Sequence, residues 1–111
     1  MREIKITIGL NRGETPYPKQ EAIDALVAQF KNCAIDGFTL VDGLGYWKGK
    51  PEACLVATTA TSFSRIMARA IAEVVAANLS ALLGQECVLW TVTDLENAGF
   101  ATADQSNEVA A

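Results

Sequence analysis

The segment "FTLVDGLGYWKGKPEACLVATTA", residues 38–60, decides the fold. Its two ends, "FTLVDGLGYW" and "EACLVATTA", are rich in β-branched and aromatic residues and read as strands. Between them stands "KGKP", with Gly49 free to take a positive φ and Pro51 suited to a turn or an edge. So short a connection requires an antiparallel hairpin. Three glycines, Gly43, Gly45 and Gly49, and the adjacent aromatics Tyr46 and Trp47 are unusual for a plain hairpin.

The flanks complete the pattern. "REIKITIGL" (2–10) alternates Ile4, Ile6, Ile8 and Leu10 with polar residues, the period of a half-buried strand. "NRGETPYP" (11–18) breaks it. From Lys19 to Asn32 the apolar residues Ala22, Ile23, Leu26, Val27 and Phe30 follow helical spacing, and Asp36-Gly37 closes the turn behind them. "FSRIMARAIAEVVAANLSALL" (63–83) predicts a second helix, with Ser62 as its N-cap and Gly84 as its stop. "CVLWTVT" (87–93) predicts a last strand. The order β-α-β-β-α-β implies an α+β, ferredoxin-like sandwich: a four-stranded antiparallel sheet with two helices on one face. Residues 1–94 form the expected domain, and 95–111 an acidic, flexible tail.

Composition excludes several functions. The net charge of −4 comes from Asp94, Glu96, Asp104 and Glu108, and the body before them is neutral. A nucleic-acid polymer is therefore not the expected partner. No run of 18 unbroken apolar residues marks a membrane span, and the start shows no signal-peptide pattern, so a cytoplasmic protein is expected. Cys33, Cys54 and Cys87 are scattered and odd in number, which argues against disulfides and thiolate metal sites. The chain has no histidine, the commonest general base and metal ligand. Asp42 and Glu52 flank the hairpin and form the remaining acid–base candidate. The expectation is a non-enzymatic binding protein without cofactor or metal.

Binding residues are easier to find. Tyr46 or Trp47 offers a stacking surface beside the charges of Lys48 and Lys50, a combination that suits a nucleotide. Arg65 and Arg69, near the start of the second helix, suit a phosphate, although Arg69 also stands four residues before Glu73. Asn11 and Arg12, at the end of the first strand, are further candidates. The second helix carries more apolar surface than one buried stripe needs, which predicts a homo-oligomer. Asn78 interrupts that surface and needs a hydrogen-bond partner.

"ITIGLN" (6–11) followed by "GFTLVDGLGYWKGKPEACLV" (37–56) resembles the first type of Thoeris anti-defence protein, on Gly9, Leu10, Asn11, Gly45, Tyr46, Trp47 and Glu52. The resemblance covers the first half of the chain, and the family's hairpin is usually longer than "KGKPE". It implies a phage protein that captures a cyclic ADP-ribose-type or cyclic oligonucleotide immune signal without cleaving it, as a dimer or hexamer. Two alternatives stay open: a PII-like regulator that binds a nucleotide and a protein partner, and an enzyme built on Asp42 and Glu52.

Overall fold

The computed structural model describes residues 1–12 and 15–104. Four strands, β1 (Arg2–Gly9), β4 (Thr39–Trp47), β5 (Lys50–Thr61) and β6 (Leu89–Asp94), form one antiparallel sheet in the order β4-β5-β1-β6. Helices α1 (Lys19–Asn32) and α2 (Arg65–Leu83) cover one face. This is the ferredoxin-like α+β sandwich expected from the element order. A two-residue ladder, β2 (Asn11–Arg12) with β3 (Thr15–Pro16), lies within the segment read as a loop.

The core forms where the alternation of β1 meets the helices. Ile4, Ile6 and Ile8 are wholly buried, with Leu55 and Ala57 of β5 in register beside Ile8 and Ile6. Ala22, Leu26 and Phe30 of α1 and Val75 and Leu79 of α2 close over them. The β4–β5 turn is Lys48-Gly49, with φ of +52° and +77°. Two consecutive positive values give the primed turn whose twist matches the strands. Pro51 pairs with Tyr46, and β1 ends at Gly9 opposite Cys54, so the missing N–H breaks no ladder bond.

Local capping differs from the sequence reading in two places. The N-cap of α2 is Ser64 rather than Ser62, and its side chain accepts a hydrogen bond from the Met67 amide at 3.1 Å. Ser62 lies before the helix, so its hydroxyl is too early to reach an orphan amide. After α1 the left-handed residue is Ala34, at φ +59°, rather than Gly37, and Ile35 N–H returns to the Phe30 carbonyl at 2.9 Å. Gly84 ends α2 in the left-handed conformation as expected. Replacing Ser64 by Ala is expected to cost about 1 kcal/mol, a fall of about 5 °C in melting temperature by thermal unfolding.

By length and composition α2 is apolar enough to cross a membrane. Ala68, Ile71, Ala72, Val75, Ala76, Leu79 and Leu83 nevertheless face the core, the requirement of a central helix in a two-layer sandwich. Its other side leaves Ile66, Met67, Val74 and Leu82 at least half exposed. Asn78 finds the partner it needs in Gln29 of α1, at 3.0 Å. Leu95 N–H bonds the Met1 carbonyl at 2.9 Å, so the segment after β6 starts against the sheet. Residues 105–111 of the expected tail lie outside the described residues.

Candidate functional site

Register assigns Gly43 and Gly45, together with Gly9 of β1, to a single surface. Residues paired across an antiparallel ladder share a face, and successive residues alternate. Ile8, Leu55 and Asp42 are in register on the helix side. The next row, Gly9, Cys54 and Gly43, faces away from the helices, as do Gly45 and its partner Glu52. Gly9, Gly43 and Gly45 thus strip side chains from one end of the uncovered face and leave Glu52 and Cys54 standing in the clearing.

The clearance at Gly9 is tight. A Cβ there would stand 2.5 Å from Glu52 Oε1, so the carboxylate occupies the volume a side chain would take. The Asn11 amide donates to Glu52 Oε2 at 3.0 Å and fixes the group in place. A Cβ at Gly43 would stand 3.0 Å from Cys54 Sγ. Burial, then the charges of Glu52 and Asp42, push the Cys54 thiol up. A thiol with a raised pKa stays protonated near neutral pH and is a poor nucleophile.

Walls rise around this floor. The loop after α2 wraps past the sheet end, tied by Gln85 Nε2 to the Asn11 carbonyl at 2.6 Å and by Ser80 Oγ to the Gln85 carbonyl at 2.8 Å. The indole N–H of Trp47 donates to Glu86 Oε2 at 3.0 Å, and Lys48 Nζ donates to Glu86 Oε1 at 2.8 Å. The Lys48 bond, then the Trp47 bond, holds the Glu86 carboxyl below the usual carboxylate range. The half-open cavity is about 540 Å³, lined by Glu52, Cys54, Tyr46, Trp47, Asn11 and the loop from Gly84 to Leu89, among others. Two carboxylates reach it, and no Lys or Arg is among its described lining residues. Its electrostatics favour a cation over a phosphate.

The sequence candidates divide accordingly. Asn11, Tyr46 and Trp47 line the cavity, and Lys48 sits at its mouth through Glu86. Arg12 stands behind the cavity wall, its guanidinium 4.7 Å from the Tyr17 ring centroid and its side chain packed against the lining residue Gly84, without itself lining the cavity. Arg65 and Arg69 belong to the opposite end of α2 from the cavity. Arg65 bonds Asp94, whose carboxyl this hydrogen bond chiefly holds low, and Arg69 pairs with Glu73 at 3.2 Å. Neither arginine is among the described residues lining the cavity. Asp42 and Glu52 are not an acid–base pair: they occupy opposite faces, and Asp42 is bound by Lys19 at 2.7 Å.

Sequence reading undervalued Glu52 and missed Gln85, Glu86 and Cys87. The signal for Glu52 was present as glycines at positions 43 and 45, two residues apart on one face of a strand. Nothing local marked the loop residues, which reach the site through the course of the chain after α2. Among the described residues no group of three Cys, Asp or Glu side chains is placed to hold a metal ion.

No protein-family model and no curated relative matches this sequence. Solved structures do match its fold. A phage SAM lyase in its apo state aligns with a TM-score of 0.75 at 18% identity, over 83% of this chain and 78% of the lyase. A phage SAM lyase in complex with S-methyl-5′-thioadenosine aligns with a TM-score of 0.67 at 17% identity, over 84% and 80% of the two chains. A DUF3240 family protein from Shewanella baltica aligns with a TM-score of 0.55 at 11% identity, over 91% and 97%.

These neighbours correct the expectation of a non-enzymatic protein. Two solved phage chains that share this architecture are named as lyases, which points against a fold used for binding alone. The phage connection implied by the resemblance agrees with those two names, whereas the Thoeris family itself finds no support among the matches.

Proposed function

We propose that the cavity above Glu52 binds a cationic adenosine derivative, S-adenosylmethionine, and cleaves it as a lyase to S-methyl-5′-thioadenosine. The observation that carries this reading is the fixed Glu52 carboxylate on a glycine floor, beside Trp47, in a cavity whose described lining has no basic side chain. A sulfonium or ammonium cation gains from both the carboxylate and an aromatic face. The pyrophosphate of a cyclic ADP-ribose-type signal would face the Glu52 carboxylate with only Lys48, already paired with Glu86, to offset it.

The chemistry does not require histidine. The bond between the sulfonium sulfur and the methionyl γ-carbon breaks, and its electron pair neutralises the sulfur. The γ-carbon is then closed by an oxygen of the substrate's own carboxylate, giving a lactone that keeps its ammonium charge. No proton changes hands and no co-reactant enters. The protein's part is to hold the tail folded, an entropic contribution supplied by fixed groups such as Glu52. A phage protein acting in this way removes an adenosine-derived metabolite from its host, and capture and turnover are steps of one process.

Self-association belongs to the same proposal. The exposed Ile66, Met67 and Val74 on α2, and Val41 and Leu89 on the uncovered sheet face, support a homo-oligomer. Native mass spectrometry with S-methyl-5′-thioadenosine and with cyclic ADP-ribose tests both statements. The expected spectrum is an oligomer that retains the thioadenosine and not the cyclic signal. Trp47→Ala is expected to weaken that retention about tenfold while leaving the melting temperature nearly unchanged. Retention of the cyclic signal alone would contradict the proposal.

A further inference from the structure

We propose that Trp47 and Lys48 form a carboxylate subsite at the cavity mouth, which the protein's own Glu86 occupies until a ligand carboxylate replaces it. The inference rests on the reading above and adds to it how the substrate's amino-acid tail is selected. Glu86 is gripped on both oxygens: the indole N–H takes Oε2 at 3.0 Å, and the Lys48 ammonium takes Oε1 at 2.8 Å. Two donors on separate oxygens are what any carboxylate of similar reach requires.

Three features make this grip a seat rather than a permanent tie. First, its donors are preorganised. Lys48 and Gly49 both hold positive φ in the turn, and the Lys48 ammonium lies 5.8 Å from the centroid of the Trp47 ring. Second, it is exposed. The side chains of Lys48 and Glu86 are 67% and 62% accessible, so exchanging one carboxylate for another buries no charge and costs little. Third, it is placed correctly. Trp47 and Glu86 line the same cavity as Glu52, so a ligand whose ammonium is turned toward Glu52 can seat one carboxylate oxygen at the mouth while the other stays free to close on the γ-carbon. An α-amino-acid tail has those two charges. S-methyl-5′-thioadenosine lacks the tail and has no group with which to displace Glu86.

Isothermal titration of the full chain with two probes provides the test. Sinefungin carries the amino-acid carboxylate and is not cleaved by loss of a thioether, and S-methyl-5′-thioadenosine carries no carboxylate. Glu86→Gln removes the internal competitor and is expected to tighten sinefungin about threefold, the scale of an exposed ion pair. Lys48→Asn removes a donor and is expected to weaken sinefungin about threefold. Asparagine suits the positive φ of this turn, so the hairpin keeps its geometry. Thioadenosine affinity is expected to remain constant in both variants. A sinefungin-to-thioadenosine ratio unchanged in both variants, or an equal loss of both ligands, would make the contact a structural tie and overturn the inference while leaving the cavity's assignment intact. If the wild-type protein binds neither probe, the cavity's assignment falls, and the inference with it.

Discussion

Glu52→Gln is expected to lower the turnover of S-adenosylmethionine by roughly 100-fold, the scale on which preorganised electrostatic groups act. The substitution keeps an oxygen that can accept from the Asn11 amide, now at 3.0 Å, so the site's shape survives and the negative charge is lost. In the proposed reading that charge is what the substrate cation meets, and no basic side chain among the described lining residues compensates for it. Steady-state kinetics and a thermal melt distinguish chemistry from folding. A rate within about threefold of wild type, in a protein that melts normally, would remove Glu52 from the mechanism.

Gly9→Ala is expected to be nearly as damaging, by a different route. The added methyl would stand 2.5 Å from Glu52 Oε1 and 2.7 Å from its carboxyl carbon. Those atoms are the end of a flexible side chain, so the carboxylate swings away and the backbone stays. Alanine in a strand is otherwise unremarkable, and the expected stability loss is about 1 kcal/mol, that of the displaced Asn11–Glu52 hydrogen bond. Turnover is expected to fall roughly 50-fold, and the double variant Gly9→Ala/Glu52→Gln to be no worse than Glu52→Gln alone, because both act on one carboxylate. Additive losses in the kinetics would place Gly9's contribution elsewhere.

Much of the fold was legible because its determinants are local. The isoleucines of β1 at period two, the helical spacing of Ala22, Leu26 and Phe30, and the short Lys48-Gly49 connection each specify one element. With few ways to bury three such surfaces, the sandwich follows. The N-cap was misplaced from Ser64 to Ser62 because both serines precede the same apolar run, and only the path of the backbone distinguishes them. Arg65 was attractive as a phosphate ligand because the helix in isolation leaves it without a partner, whereas Glu73, four residues on, already offered one to Arg69. Tertiary structure supplies Asp94 from β6, 29 residues away, for Arg65.

The site was half legible for a related reason. Asn11, Tyr46 and Trp47 carried visible chemistry. Glu52 was ambiguous because a carboxylate opposite a glycine has meaning only once register places Gly9, Gly43 and Gly45 on its face. The non-catalytic expectation rested largely on the absence of histidine, which removes the commonest proton shuttle. Cleavage of a sulfonium expels a neutral thioether and needs none.

The most direct test of the account is to incubate the purified chain with S-adenosylmethionine and follow both products by liquid chromatography and mass spectrometry. The account predicts S-methyl-5′-thioadenosine and a lactone of the amino-acid fragment in equal amounts, accumulating through many turnovers. Recovery of intact S-adenosylmethionine, with no thioadenosine formed above the spontaneous rate, would contradict it.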